Sequence, residues 1–503
     1  MNQEFELIAK TFQGLEEVLA QELTELGAGN VQIGRRMVSF TGDKAMMYRA
    51  NFNLRTAIRV LKPIKHFKAT TADEVYDAVK AIEWENYMDN MTSFAVDAVV
   101  FSEVFRHSKF VAYKVKDAIV DYFREKTGNR PSVRINNPDL SLNIHVAEDE
   151  CTLSLDSSGE SLHRRGYREE QVEAPLNEVL AAGMILMTGW RGECDLIDPM
   201  CGSGTIPIEA ALIARNIAPG VFRKEFGFEK WKDFDQELFD EIYNDDSKER
   251  EFTHKIYGYD NNPKANEIAT HNVKAAGVTK DVILKVQPFQ QFEQPAEKSI
   301  IITNPPYGER ISSDDLLGLY QMIGERLKHA FIGNDAWILS YRDECFDQIG
   351  LKASVKIPLF NGALECQFRK YQIFDGKYKE YRTENPDKEF KPKREERPVR
   401  ARHHGEKVEY GRKENRSRFR DERRMEDRRS DERWSDDRRR TDDKPAFRTR
   451  RAGEGKEFTR ERKSDFKKEG EPRRRPRDNK DEGEKKPTFM RYIHRRRPTD
   501  EDI

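Results

Sequence analysis

From about residue 177 the chain alternates short apolar segments with amphipathic ones, and this rhythm limits the possible fold more than any other feature. Alternating strands and helices form a doubly wound α/β layer with a mostly parallel sheet, which binds ligands beyond the carboxyl ends of its strands. Two final strands are joined by Asn361-Gly362, a sequence that favours a tight hairpin, so we expect an antiparallel end to the sheet. Strands are predicted at residues 195–197, 255–259, 282–286, 299–303, 336–340, 354–360 and 364–374, and helices at 205–215, 263–276 and 314–331.

The first 157 residues have a mixed α+β pattern and show no catalytic spacing. We expect a small unit over residues 1–60 and a second one over 61–157, and a charged insertion over 218–254 with a helical stretch at 236–244. Strands are predicted at residues 5–9, 31–40, 93–100, 132–136, 140–147 and 151–156, and helices at 13–26, 72–82 and 110–126.

The composition changes abruptly near residue 380. Residues 381–503 contain 43 Lys and Arg and 31 Asp and Glu, whereas the first 380 residues carry a net charge of −13, so the net charge of −1 for the whole chain is a cancellation. A segment with so few aliphatic residues cannot bury enough apolar surface to offset the entropy of ordering. The sequence therefore predicts a disordered charged tail over residues 379–503.

Several classes of protein are disfavoured by what the sequence lacks. No apolar run reaches the ~18–20 residues that span a bilayer, and the first residues do not resemble a signal peptide. The five cysteines show no CxxC spacing and no neighbouring histidine cluster, which argues against a disulfide framework and a zinc site. We expect a cytoplasmic protein without a metal; the sequence leaves its oligomeric state open.

A glycine loop follows the first strand of the α/β part, with the string DPMCGSGT at residues 198–205. Gly202 and Gly204 allow a ligand to approach the backbone, and the helix start that follows offers free amides. The alternative is an ordinary strand-to-helix turn. GxGxxG and Gly-Lys-Ser/Thr are both absent, which argues against a dinucleotide and against ATP.

An acidic residue, Asp260, ends the next strand in the string YGYDNN at residues 257–262. In a doubly wound sheet this position lies beside the loop of the first strand, where a carboxylate can accept two ribose hydroxyls. Alone the signal is weak, because Asp and Asn commonly cap helices and Pro263 suits a helix start.

A buried apolar strand ends abruptly in NPPY at residues 304–307, which is the most informative motif. Two prolines restrict the backbone, so a carbonyl and the Asn304 amide oxygen can both point at one NH₂ group. Tyr307 offers a flat face on which an extruded base can stack. A proline-rich turn without function is the alternative, and the two preceding loops make it the weaker one.

Together these motifs resemble the class I S-adenosylmethionine-dependent methyltransferases that methylate amino groups. The longer string TNPPYGER at residues 303–310 is similar to the bacterial large-subunit rRNA guanine methyltransferases, in which a ferredoxin-like piece and a THUMP domain precede the catalytic domain. Residues 105–128 and the strands predicted after them look like THUMP, and APLNE at residues 174–178 resembles the segment with which the family begins its catalytic domain. The resemblance covers about residues 1–375 and implies methyl transfer to the 2-amino group of a guanine in RNA.

The resemblance also implies a domain organisation and a set of site residues. It divides the chain into a ferredoxin-like unit (1–60), a THUMP-like RNA-binding domain (61–157), a linker (158–176), a methyltransferase domain (177–378) and the tail (379–503). The cofactor S-adenosylmethionine would be bound by Asn177, Asp198, Cys201, Gly202, Gly204, Thr205, Asp260 and Asn261. The target base would be held by Asn304, Pro305, Pro306 and Tyr307. RNA contacts are expected from Arg106 and Lys109 and from Arg164, Arg165 and Arg168 in the linker, although a solvated loop is an equal alternative for the linker.

Two departures from the family keep alternatives open. Many relatives place an acidic residue after the third strand to bind adenine, where this chain has Gln287-Pro288-Phe289, so that contact would be apolar or made by the backbone. Some relatives continue into a second methyltransferase domain, where this chain has the charged tail. A tRNA guanine methyltransferase, a DNA or RNA adenine methyltransferase and a non-catalytic ribosome-assembly protein remain as alternatives. A DNA enzyme has no need of the THUMP-like front half, and the intact NPPY and glycine loops argue against lost chemistry.

Overall fold

The computed structural model describes residues 3–172, 175–295, 298–308 and 313–374. These residues form two seven-stranded sheets, one in each half of the described chain. The predicted disordered tail, Ala174 of the family segment and the last two residues of the TNPPYGER string lie outside the described residues.

The N-terminal sheet has the strand order β2-β3-β1-β4-β7-β6-β5. Strand β4 pairs antiparallel with β1 on one side and with β7 on the other, so the ferredoxin-like and THUMP-like parts share one continuous sheet. The predicted boundary between residues 60 and 61 falls inside β4. The elements are β1 (Phe5–Lys10), α1 (Glu16–Glu25), β2 (Gly29–Gly34), β3 (Met37–Gly42), α2 (Lys44–Asn53), β4 (Arg59–Lys68), α3 (Ala72–Lys80), β5 (Phe94–Phe101), α4 (Ser108–Thr127), β6 (Leu140–Ala147) and β7 (Glu150–Asp156).

Two predicted strands of this half are wrong. The single strand predicted over residues 31–40 is the hairpin β2–β3, which turns at Arg36 with a positive φ of 57°. The strand predicted over 132–136 is reduced to one bridge between Val133 and Phe94. Val133 and Ile135 are 48% and 88% exposed, so their alternation does not mark a buried face.

The C-terminal sheet has the order β10-β9-β8-β11-β12-β14-β13, with β10 through β12 parallel and β14 antiparallel to both β12 and β13. This confirms the predicted Rossmann-like sheet with its antiparallel end. The strand order reverses between β8 and β11, where such sheets bind ligands. The elements are α5 (Glu178–Met187), β8 (Asp195–Asp198), α6 (Thr205–Ala214), α7 (Gln236–Asn244), β9 (Ile256–Asp260), α8 (Pro263–Ala275), β10 (Val282–Val286), β11 (Ser299–Thr303), α9 (Ser313–Ala330), β12 (Asp335–Ser340), α10 (Asp343–Gln348), β13 (Val355–Asn361) and β14 (Leu364–Gln372).

The insertion between α6 and β9 packs against the N-terminal half. Phe228 stacks on Tyr48 of α2 with ring centroids 4.2 Å apart, and Phe239 of α7 joins the same buried cluster. The Arg55 guanidinium, also from the N-terminal half, donates to the Ile217 carbonyl over 2.8 Å. The segment that looks merely charged in sequence therefore joins the two halves through a shared aromatic core.

Three further observations concern classes of site. Among the residues with described coordinates, no helix combines the length and apolarity that a membrane crossing needs. Within the same residues, no group of three or more His, Cys, Asp and Glu side chains is arranged to hold a metal ion. All five cysteines are buried and unpaired.

Candidate active site

The three sequence motifs meet at the carboxyl ends of β8, β9 and β11, where they are joined by direct hydrogen bonds. The Gly202 amide donates to Asp260 Oδ2 over 3.0 Å, which joins the first motif to the second. The Thr303 hydroxyl, one residue before NPPY, donates to Asp198 Oδ1 over 2.9 Å and joins the third motif to the first. The predicted site residues are thus brought into one place by contacts that short-range spacing does not reveal.

The glycine loop has the backbone that only glycine adopts easily. Gly202 and Gly204 have φ values of +55° and +84°, and Gly204 caps the start of α6. A Cβ on Gly204 would lie 3.2 Å from the Ala269 Cβ, whereas a Cβ on Gly202 would meet, among the residues that the structure describes, only Val172, at 3.9 Å. The backbone at Gly202 therefore leaves room beside it, which is the kind of cradle a bound ligand requires.

Asp260 is anchored by backbone amides on both of its oxygens. In addition to the Gly202 contact, its Oδ1 accepts the Asn262 amide over 2.8 Å. A carboxylate has about four acceptor positions, so these two bonds leave capacity for two hydroxyls. Asn261, which we also predicted to bind the cofactor, is exposed beside it.

The segment expected to face adenine turns partly inward. Phe289 is buried against Phe331, with ring centroids 5.6 Å apart, and the Gln287 amide donates to the Asp260 carbonyl over 2.9 Å. The Phe289 ring is therefore a core residue. A contact with adenine from this segment, apolar or made by the backbone, stays a prediction.

Asp198 lies in a closed environment between the first and third motifs. Its side chain is buried and accepts from the Thr303 hydroxyl and, over 3.3 Å, from the Met200 amide. Burial raises the pKa of Asp198 to about 7, and the nearby Asp260 carboxylate adds to the increase. This carboxyl therefore changes its ionisation near neutral pH.

A pH-dependent stability follows from this raised pKa. An unfolded Asp ionises near pH 3.8 and the folded Asp198 near 7, so the folded state loses stability as pH rises between these values and then levels off. The side chain of Asp198→Asn cannot ionise. We therefore expect the free energy of unfolding of this variant, relative to that of the parent, to be about 2 kcal/mol higher at about pH 8 than at about pH 5. Urea midpoints at both values measure this.

The matched control is Asp139→Asn, directly before β6 in the N-terminal half. Hydrogen bonds from Ser93 lower the pKa of Asp139, so this carboxyl is already fully ionised at about pH 5. The change in the free energy of unfolding caused by its substitution should therefore be the same at both pH values. Equal effects of pH on the Asp198 variant and the parent would contradict this account of Asp198.

The NPPY loop is held by a hydrogen bond inside the motif and by contacts with two other tyrosines. The Tyr307 hydroxyl donates to Asn304 Oδ1, and burial raises the pKa of Tyr307, which keeps this hydroxyl protonated as a donor. The Tyr307 ring packs edge-on against Tyr341, at 5.4 Å and 89°. The buried Tyr320 hydroxyl lies 3.5 Å from the Pro306 carbonyl oxygen, so this carbonyl faces the core. A backbone carbonyl as the second acceptor beside Asn304 stays a prediction.

The prediction that Arg165 and Arg168 of the linker contact RNA is corrected by the structure, in which both side chains have partners within the protein. The Arg165 side chain is 1% exposed; it donates to the Leu162 and Arg55 carbonyls and faces Glu209. It cannot reach an RNA phosphate in this arrangement. The Arg168 guanidinium donates to Ser203 and Thr205 of the glycine loop, over 2.9 Å in each case.

The other predicted contacts differ in how they are placed. Arg164 is exposed and pairs with Glu160, and Arg106 and Lys109 are exposed near the start of α4. Asn177 caps α5 by accepting the Val179 amide over 2.9 Å, and Thr205 accepts from Arg168. For Asn177 and Thr205, contact with a cofactor stays a prediction.

Sequence reasoning missed Asn272, which has no exposed surface and is central to the site. Its amide donates to the Ser203 and Glu170 carbonyls over 3.0 Å each, and its oxygen accepts the Glu169 amide over 3.1 Å. A signal was present, because Asn272 sits among the apolar, core-facing positions of α8 (Ile268, Ala269 and Val273). A polar residue on a buried helix face needs a specific partner.

Four features together define the class I methyltransferase fold. They are a Rossmann-like sheet with an antiparallel end, a glycine loop after its first strand, a carboxylate after its second strand and NPPY after its fourth strand. Comparison with known families agrees. A model described as an RMKL-like methyltransferase domain matches residues 165–370, a THUMP domain matches 69–156 and an RlmL ferredoxin-like domain matches 6–61.

Similar proteins extend this finding along the described chain. The chain is 39% identical over 369 residues to the candidate RNA methyltransferase slr0064 of Synechocystis sp., covering 73% of this chain and 96% of that one. It is 40% identical over 392 residues to the ribosomal RNA large subunit methyltransferase K/L of Syntrophotalea carbinolica, covering 75% and 55%. This chain therefore spans about half the length of the K/L relative.

Solved structures show the same architecture. SMU.472, described as a methyltransferase candidate complexed with SAH, superimposes with a TM-score of 0.67 at 31% identity and covers 75% of this chain and all of its own. A possible methylase of Clostridium difficile 630 gives 0.68 at 33% identity, again over 75% of this chain and all of its own. The chain belongs to the family of RMKL-like methyltransferases that carry a THUMP domain.

Proposed function

We propose that this protein transfers a methyl group from S-adenosylmethionine to the exocyclic 2-amino group of a guanine in large-subunit rRNA. The observation that carries the proposal is the hydrogen-bonded meeting of the glycine loop, Asp260 and NPPY at the switch point of a methyltransferase sheet. The RNA substrate is supported by the THUMP domain in front of it and by the K/L relatives. Because this chain matches only about half the length of those relatives, guanine and rRNA are part of the proposal.

The residues around the glycine loop fit the cofactor. The open backbone at Gly202 would receive the methionine part, and the two remaining acceptor positions of Asp260 would take the ribose hydroxyls. Asp198, which links this loop to Thr303, would place the cofactor end of the site next to the base end. Bound S-adenosylmethionine supplies an electrophilic methyl group on a sulfonium.

The residues of NPPY would hold the base. Asn304 Oδ1 has two lone pairs, so accepting from the Tyr307 hydroxyl leaves one for an N–H of the target amine. The Pro305 carbonyl would accept the second N–H, and the amine lone pair would then face the methyl group. An amine conjugated to a ring is a weak nucleophile, so alignment and exclusion of water are what the site contributes.

The N-terminal half offers an RNA surface at the carboxyl end of β5 and the start of α4. Arg106 and Lys109 are exposed there, and Phe101, Phe110 and Tyr113 are each at least 50% exposed. Cations next to exposed aromatic rings suit phosphates next to unpaired bases. This surface supports RNA as the substrate class.

Purified protein, labelled S-adenosylmethionine and unmodified RNA test the proposal. We expect label in large-subunit rRNA, recovered as N2-methylguanosine after digestion and mass spectrometry, and little label in tRNA. A solved relative from Listeria monocytogenes, 32% identical to this chain, is described as a predicted N6-adenine-specific DNA methylase, so DNA and N6-methyladenosine are the comparison arms. Label in adenine, or label only in tRNA, would overturn the proposed substrate. The absence of label from every nucleic acid would overturn the proposed methyltransferase activity.

The charged tail gives a prediction about salt. Its arginine runs at residues 473–475 and 495–497 would act as an arm that captures RNA phosphates, and such contacts release counterions. A chain ending near Lys379 should bind rRNA more weakly, with a shallower slope of log affinity against log salt, at an unchanged saturated rate. Filter binding at several salt concentrations measures the slope.

The alternative for the tail is that it folds back on the acidic body. Removing a tail that masks the binding face would leave RNA affinity equal or higher. Equal slopes for the two chains would contradict the RNA arm.

A further inference from the structure

We propose that Arg168, in the linker before the methyltransferase domain, is a positioning residue that fixes the conformation of the glycine loop and thereby sets cofactor affinity. This rests on the proposed function, since it takes the loop to be the cofactor site. In sequence Arg168 belongs to a basic string that looks like an RNA contact. In the structure its guanidinium is turned inward to the loop.

Every nitrogen of this guanidinium has a partner in the loop or next to it. Nε donates to Glu178 Oε1 over 2.8 Å, Nη1 to Ser203 Oγ over 2.9 Å, and Nη2 to Thr205 Oγ1 over 2.9 Å and to the Leu176 carbonyl over 3.3 Å. The side chain is only 12% exposed. One planar group thus bridges the start of α5 to both sides of Gly204.

The loop needs a restraint of this kind. Gly202 and Gly204 flank Ser203, and glycine gives a chain access to many backbone conformations besides the one required. Arg168 holds the Ser203 side chain, and Asn272 holds its carbonyl over 3.0 Å. The residue between the two glycines is therefore fixed from two directions, and Asn272 also binds the linker at Glu170.

Arg223 holds the same linker without touching the loop, so it serves as a matched control. Its guanidinium donates to the carbonyls of Ser158, Glu160, Ser161 and Arg164 over 2.7–3.2 Å. It has four acceptors, as Arg168 does, but all of them lie in the first part of the linker. Lysine in either position keeps the charge and loses the planar fork that reaches several acceptors.

Calorimetric titration of the full-length protein with S-adenosylhomocysteine tests the proposal. We expect Arg168→Lys to raise the dissociation constant about tenfold, since bonds to two loop hydroxyls are lost together. Arg223→Lys should lower the thermal midpoint and leave the dissociation constant within about twofold. Ser203→Ala alone should weaken binding several-fold. Because Arg168 and Ser203 act through one contact, Arg168→Lys should weaken binding less in the Ser203→Ala background than in the parent protein.

The outcomes separate the two claims. If the parent does not bind S-adenosylhomocysteine, the proposed function fails and this inference fails with it. If the parent binds, equal affinity of Arg168→Lys and the parent overturns the positioning role, as does an equal loss in Arg223→Lys or full additivity with Ser203→Ala. Should Arg168→Lys not fold, Ser203→Ala decides, and unchanged affinity in that variant counts against the proposal.

Discussion

Asn304→Ala is expected to lower the methyl-transfer rate by about 100-fold or more while the dissociation constant of S-adenosylhomocysteine changes only a few-fold. The Asn304 oxygen is the acceptor that would orient the target amine, and the Tyr307 hydroxyl holds it in place. No described contact joins Asn304 to the glycine loop or to Asp260. Single-turnover rates at saturating cofactor, together with calorimetry, measure both effects.

Two controls belong to this experiment. Asn304→Asp keeps an acceptor at the same position and should retain more activity than Asn304→Ala. Tyr307→Phe keeps the ring and removes only the hydroxyl, so it should cost about tenfold or less, the value of one neutral hydrogen bond. Loss of cofactor binding in Asn304→Ala with a normal rate on saturating cofactor would contradict the role given to this residue.

Asp260→Ala is expected to weaken cofactor binding at least tenfold and to leave RNA affinity nearly unchanged. The substitution removes acceptors for two ribose hydroxyls, and a hydrogen bond to a charged group contributes roughly 1.5–3 kcal/mol. It also frees the Gly202 amide, which Asp260 holds at 3.0 Å, so the loop loses an anchor as well. Calorimetry with S-adenosylhomocysteine and filter binding with rRNA give the two affinities.

The control for Asp260 is Asp139→Ala, which removes another carboxylate that accepts from the backbone, at the Ser93 amide. Asp139 lies directly before β6 in the N-terminal half, and its substitution should change stability without changing cofactor affinity. Unaltered cofactor affinity in Asp260→Ala would rule out the ribose contact.

The sequence predicts the catalytic half well where local pattern and burial agree. The predicted strands over 282–286 and 299–303 have the bounds of β10 and β11, and the predicted helix over 236–244 has those of α7. Each is either a short apolar run between breakers or a helix with clear amphipathic spacing. The same sheet order also brings the three motifs to one edge, as the resemblance implied.

Long-range partners account for what the sequence could not predict. The string at residues 163–168 is equally compatible with an RNA contact and with a solvated loop, and its placement depends on Glu209 and Ser203, which are 44 and 35 residues from Arg165 and Arg168. The aromatic residues of the insertion gave no local sign that Tyr48 would cover them. Partner residues decide these placements, and spacing within a segment carries no information about them.

The most direct test of the central claim is the map of modified nucleosides in 23S rRNA and tRNA of a deletion strain, complemented with the parent gene or with Asn304→Ala. Mass spectrometry should show loss of N2-methylguanosine at one position of 23S rRNA, restored by the parent and not by the variant. An unchanged 23S rRNA, a loss confined to tRNA or to N6-methyladenosine, or full restoration by Asn304→Ala would contradict the account.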